Sequence, residues 1–201
     1  MPAGERLASR AGGRRATLVG LLLAAGPLLA SCDDSGTDLA NRVISSISGY
    51  SAAAADSGPL DRSAASQSLP TLASQTASAL DAAGFRSGYS RVFLQGGSPS
   101  GDYVLVSVYV MASAQLATQF IATERSALQS TGTVALFNAD GLPGSLGYTL
   151  TGPTQHGDRQ VFCNGVAFAK AANVYAVTTC SATPEDSRLA VDVAQRQAAA
   201  G

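Results

Sequence analysis

The alternation of apolar and polar positions is plainest at Val104, Val106, Val108 and Val110, which face one way while Leu105, Ser107 and Tyr109 face the other. A period of two marks a half-buried β-strand, here 103–111. Residues 89–95 read as a second strand, joined to the first through Gly96-Gly97-Ser98-Pro99-Ser100-Gly101-Asp102. Helical spacing takes over on both sides of this pair. Pro70 at a first helical position, a face of Leu72, Thr76, Leu80 and Ala83, and a closing Gly84-Phe85 predict a glycine-capped helix. Residues 113–130 predict a longer helix, and 134–137 and 148–151 two short strands around a Pro/Gly turn region. The segments 161–169 and 173–180 form a hairpin pattern. Thr183-Pro184-Glu185-Asp186 predicts the start of a last helix, with Leu189, Ala190, Val193 and Ala194 as its apolar stripe. Strands linked by short turns predict an α+β fold, a mainly antiparallel sheet with helices packed on it in a single domain.

Before Pro70 the pattern weakens. Thr37 as an N-cap, with Leu39, Val43 and Ile47 at i, i+4 and i+8 and Gly49-Tyr50 as a stop, predicts a small helix. Residues 51–69 are Ala/Ser-rich around Gly58-Pro59 and predict a flexible linker. At the start of the chain Arg6, Arg10, Arg14 and Arg15 precede an apolar run over 17–30. A basic start followed by a short apolar core is the pattern of a secretory signal. The run falls short of the ~20 residues that span a bilayer, and Pro27 interrupts it.

Leu29-Ala30-Ser31-Cys32, an aliphatic residue, two small ones and a cysteine, resembles the lipobox of bacterial lipoproteins. The resemblance implies that a diacylglyceryl group joins the Cys32 thiol and that a signal peptidase cuts just before it. The chain then divides into a cleaved signal peptide (1–31), a tether with a short helix and linker (32–69) and a globular domain (70–201). Two acyl chains suit stable anchoring, each buried methylene adding ~0.8 kcal/mol, at the extracytoplasmic face of the cell membrane. Gly88-Tyr89-Ser90-Arg91, the Val-rich strand feeding an Ala-rich helix, Leu142-Pro143-Gly144 and the Ala-Gln-rich C-terminal helix resemble small extracytoplasmic lipoproteins of actinobacteria. That resemblance carries no catalytic signature.

Charged residues are 13% of the 201, about half the usual share of ~25%, yet the only long apolar run is N-terminal, which excludes a multi-span membrane protein. One lysine, one histidine and a net charge of −1 exclude the basic footprint of a nucleic-acid binder. From Cys32 onward nine basic and thirteen acidic residues remain, a net −4 that sets the domain off from anionic lipid.

With Cys32 acylated, Cys163 and Cys180 remain as one pair in an oxidising compartment. If Lys170 pairs with Asn173, the register places Cys163 directly opposite Cys180. They then occupy a non-hydrogen-bonded site with Cα atoms ~4.5 Å apart, inside the ~4.4–6.8 Å a disulfide tolerates. Ala171-Ala172 is not a standard two-residue turn, so a four-residue loop of the same register is an alternative. A redox or zinc pair lacks Cys-x-x-Cys spacing and has only His156 as a further soft ligand.

Catalytic motifs are missing: Gly144-Ser145-Leu146-Gly147 has Pro143 where a nucleophile elbow needs glycine, and His156 sits in loop-like sequence. No enzyme activity, cofactor or metal is expected. Glu124 stands out, because helical spacing puts it within the stripe of Leu116, Phe120 and Leu128. A carboxylate buried there costs several kcal/mol unless paired or protonated. Arg91 or Arg159 could pair with it, the helix could overhang the sheet edge, or Glu124 could anchor a ligand. The expected function is a membrane-anchored, non-enzymatic binding or interaction module. Its expected partners are the membrane, through the lipid on Cys32, and a protein or small apolar ligand, with no nucleic acid. The alternative is a carrier or sensor of an apolar small molecule or lipid, in a sheet–helix cavity over the small residues Ala167, Ala169, Val174 and Ala176.

Overall fold

The computed structural model describes residues 36–69, 73–97, 102–131, 134–153 and 160–201. Along the chain the elements are α1 (Gly36–Asn41), β1 (Tyr50–Leu60), α2 (Arg62–Gln67), α3 (Ala73–Ala82), β2 (Ser87–Gln95), β3 (Tyr103–Val110), α4 (Ala114–Thr131), β4 (Ala135–Phe137), β5 (Leu146–Pro153), β6 (Gln160–Lys170), β7 (Asn173–Ser181) and α5 (Arg188–Ala200). The seven strands make one sheet in the order β1-β2-β3-β7-β6-β5-β4, antiparallel at every pairing. The fold is α+β in one domain, as the strand and turn pattern implies, and residues 33–201 form one compact unit.

Alternation along β3 separates two cores. Val104, Val106, Val108 and Val110 join Val177 and Tyr175 of β7 beneath α5 (Ala190, Val193, Ala194) and the buried Leu39, Val43 and Ile47. Tyr109 points the other way, into a core with Val174 and Ala176 of β7 that α3 and α4 cover with Leu80, Phe120, Ile121 and Leu128. The sheet is therefore sandwiched between helices. That burial, at ~25 cal/mol per Å² of apolar surface, is the main force holding the layers.

Local signals act where they were read. Gly84 takes φ +61°, and the Gly84 N–H donates to Asp81 O while the Phe85 N–H donates to Leu80 O. This pair of bonds is a Schellman ending, with Phe85 and Leu80 sharing a core. Ser113 Oγ accepts from the Leu116 N–H at the start of α4, an N-cap bond. In the β6–β7 hairpin Lys170 faces Asn173 and Cys163 faces Cys180. The turn has two residues, not four, with Ala171 at φ 52°. Ala172 O accepts from the Met111 N–H at 2.8 Å, which pins the turn to the end of β3. A left-handed alanine costs ~1 kcal/mol, and this long-range bond helps hold it.

Three expectations are corrected. The stretch 51–69 is not a linker: it is the edge strand β1 followed by α2 and the buried Leu69. Its alanines are largely exposed, so β1 is held by ladder bonds to β2, which leave no hydrophobic signature. A bulge between Ala53 and Gly58 breaks its register, closed by Ser57 Oγ, which donates to Ala53 O and accepts from the Val92 N–H. Such a bulge and Pro59 blunt an edge against further pairing. Helix α1 ends at Asn41, yet Leu39, Val43 and Ile47 are all buried, because the following loop keeps the same face inward. Helix α5 begins at Arg188 rather than at Pro184; Asp186 Oδ1 accepts from the Arg188 N–H there.

Candidate functional site

The hairpin register brings Cys163 and Cys180 together as a disulfide, with Cα atoms 4.2 Å apart and both residues buried. The bond cross-links two central strands on the face covered by α3 and α4.

Glu124 also lies on that face. It is 3% exposed, which removes the overhanging-helix alternative. Pairing with Arg91 is removed too, because Arg91 pairs in register with Val106 and so faces the opposite core. Its guanidinium donates to Val43 O, Ile44 O and Ala40 O. Around Glu124 lie buried phenols. Burial pushes the Tyr109 pKa up, its hydrogen bond with Ser68 pulls it back, and the Glu124 charge adds to the rise. Tyr148 is raised as well, by burial first, with a bond to Thr178 opposing and Tyr109, Tyr103 and Glu124 adding to the rise. The Tyr109 hydroxyl lies 2.8 Å from Ser68 Oγ and that of Tyr148 lies 2.7 Å from Thr178 Oγ1. These phenols are neutral at physiological pH, and their hydroxyls tie the sheet to α2 and β5 to β7.

The Tyr148 bond depends on a glycine. Tyr148 on β5 faces Gly165 on β6, and Gly165 faces Thr178 on β7. With no side chain at Gly165, the ring lies across the middle strand and reaches the third. The small face of the hairpin is occupied in the same way: Ala167, Val174 and Ala176 are at most 5% exposed and share a core with Ala117, Phe120 and Ile121 of α4. The alanines there let α4 pack closely on the hairpin.

A hollow of about 380 Å³ lies on the other side of the sheet. Its walls are the loop after α1 (Val43, Ile44, Ser45, Ser46), Arg91 of β2 and Arg196 of α5. Gln197, fully buried, staples this loop: its Oε1 accepts from the Ile44 N–H at 3.0 Å and its Nε2 donates to Arg42 O at 2.7 Å. Arg196 donates to Ser46 O at 3.0 Å. Among the described residues neither Arg91 nor Arg196 is paired with a carboxylate. In the sequence Arg91 stands out as a candidate partner for Glu124, and Arg196 does not stand out at all. The signal that could have found them is Arg91 at a core-facing strand position, one that asks for a buried polar partner. A second, more open groove runs between α3 and α4, lined by Ser78, Ala79, Ala82, Thr123, Ser126 and Ala127. Cys32, His156 and Arg159 lie outside the described residues.

No family model matches the chain, and no curated protein matches it in sequence. Its fold is similar to that of the extracellular domain of PknH from Mycobacterium tuberculosis, with TM-score 0.56 and 13% identity over 82% of this chain and 97% of that one. A structure from Bacteroides thetaiotaomicron VPI-5482 overlaps 52% of this chain and 36% of its own, with TM-score 0.38 and 8% identity. At those identities the likeness to the first is one of fold, and the second carries no argument.

Proposed function

We propose that the chain is an extracytoplasmic, membrane-anchored binding module without catalytic activity, held by a lipid on Cys32 and engaging a partner or ligand outside the cell membrane. The observation that carries this reading is the likeness in fold of 82% of this chain to 97% of a mycobacterial extracellular domain. The lipobox-like Leu29-Ala30-Ser31-Cys32 supports the anchor. The Cys163–Cys180 bond suits an oxidising compartment. Among the described residues no helix is long and apolar enough to cross a membrane.

The test is expression of the full chain and its Cys32→Ala variant in an actinobacterial host fed radiolabelled palmitate. The wild type is expected to incorporate label, sediment with membranes and be digested when protease is added to intact spheroplasts. The variant is expected to lose the label. Equal labelling of the two chains, or protection of the wild type from external protease, overturns the reading.

A further inference from the structure

We propose that the hollow between the loop after α1 and the last turns of α5 binds an anion, with Arg91 and Arg196 gripping a phosphoryl group from two sides. The argument begins with donors. A guanidinium carries five N–H groups in a rigid fork. Arg91 spends three of them on Ala40 O, Val43 O and Ile44 O. Arg196 spends one, on Ser46 O. Both side chains are thereby oriented by fixed carbonyls and still hold unspent donors at the wall of one hollow. Neither has a carboxylate partner among the described residues, whereas Arg42, Arg62 and Arg188 each meet an aspartate.

Charge matching selects the ligand class. Two guanidinium groups suit a phosphate of about −1.5 to −2 charge better than a single carboxylate, which one fork satisfies. Arginine is the residue best shaped for bidentate contact with phosphate oxygens. The rest of the wall agrees. Asn41, Ser45 and Ser46 supply side-chain donors that have no partner among the described residues, and Ala40, Val43, Ile44 and Ala200 supply apolar surface. At about 380 Å³ the hollow lies in the range of ~300–1,000 Å³ typical of small-molecule sites. It has room for a phosphoryl group and a small organic remainder against Val43 and Ile44. The loop is rigidly held from below by Gln197, so little ordering entropy opposes binding.

This inference refines the proposed binding role but does not depend on the lipid anchor. The test is calorimetric titration of the full chain in a neutral detergent, in parallel with the Cys32→Ala chain. Glycerol 3-phosphate is one probe, short-chain phosphatidic acid, the same phosphomonoester on a lipid, the second, and glycerol the control. Saturable binding of glycerol 3-phosphate and none of glycerol is expected. Arg196→Gln is expected to weaken it about tenfold or more, the usual loss for a charge-assisted bond, without altering the thermal midpoint, since Arg196 is exposed. Arg91→Lys retains charge while losing the fork, and is expected to weaken binding too. Equal Arg196-dependent binding of the phosphatidic acid assigns the source to a lipid headgroup; preference for glycerol 3-phosphate assigns it to a soluble ester. Binding that ignores Arg196→Gln, or no saturable binding of either phosphate, overturns the inference. Loss of labelling in the anchoring experiment with intact phosphate binding separates failure of the anchor from failure of the site.

Discussion

Replacing Gly165 by alanine tests the three-strand row that Tyr148 bridges. A Cβ added at Gly165 sits 2.0 Å from Tyr148 Cζ, 2.2 Å from its hydroxyl oxygen and 2.5 Å from Cε1. Unstrained contact needs ~3.5 Å or more, so the ring must lift by about 1.5 Å. It has nowhere easy to go, because Tyr148 is 1% exposed and packed among the side chains under α4. Overfilling a packed core costs ~1–3 kcal/mol. Lifting the ring also separates its hydroxyl from Thr178 Oγ1, now 2.7 Å away, and a buried hydroxyl without a partner costs a further ~1–3 kcal/mol. Together the loss is about 4 kcal/mol, a large part of the ~5–15 kcal/mol that stabilises a domain. Urea denaturation followed by circular dichroism measures it on the disulfide-intact protein. The cause is isolated by a double-mutant cycle: in a Tyr148→Ala background the same Gly165→Ala change is expected to cost under ~1 kcal/mol. A loss below ~1 kcal/mol in the single variant, or an equal loss with and without the Tyr148 ring, would falsify the row as described.

Two further outcomes follow from the same face of the sheet. Removing the Cys163–Cys180 bond with Cys163→Ala/Cys180→Ala opens a closed loop of 18 residues and is expected to lower stability by ~3 kcal/mol in the chain-entropy model. Denaturation midpoints that coincide for the wild type with and without reductant, while thiol labelling shows the bond reduced, would sink that expectation. Alkaline pH acts on the phenols: burial raises Tyr103, Tyr109 and Tyr148 above the ordinary tyrosine value. Above pH ~10 the unfolded chain therefore binds fewer protons than the folded one. Stability conferred by the neutral phenols is full below that pH and falls as pH rises, by up to ~1.4 kcal/mol per pH unit for each phenol still protonated when folded. Tyr148→Phe should flatten this alkaline slope; an unchanged slope contradicts the assignment.

Periodicity and local chemistry determined much of the molecule without help. The alternation from Val104 to Val110 defined a strand with two buried faces, the Gly84-Phe85 pair defined a helix stop, and counting outward from Lys170 and Asn173 put Cys163 opposite Cys180. These features depend on contacts between near neighbours, or on a hairpin whose register follows from its turn, so spacing encodes them. Glu124 was visible as an anomaly in an apolar stripe, although its surroundings were not.

Tertiary structure decided the rest, because the deciding partners are far apart in sequence. Exposed alanines of β1 carry no hydrophobic pattern; backbone bonding to β2 makes them a strand. Val43 and Ile47 keep a helical spacing after α1 has ended, since their burial is set by α5 and the sheet rather than by a helix of their own. The aim of Tyr148 across Gly165 needs three strands in one register. Arg91 and Arg196 meet at one hollow only because α5 packs on the face of the sheet to which Arg91 of β2 points, with Gln197 holding a loop more than 150 residues away. Spacing reports which face a residue takes; which distant side chain it meets there is settled by the order of strands and the layer that covers them.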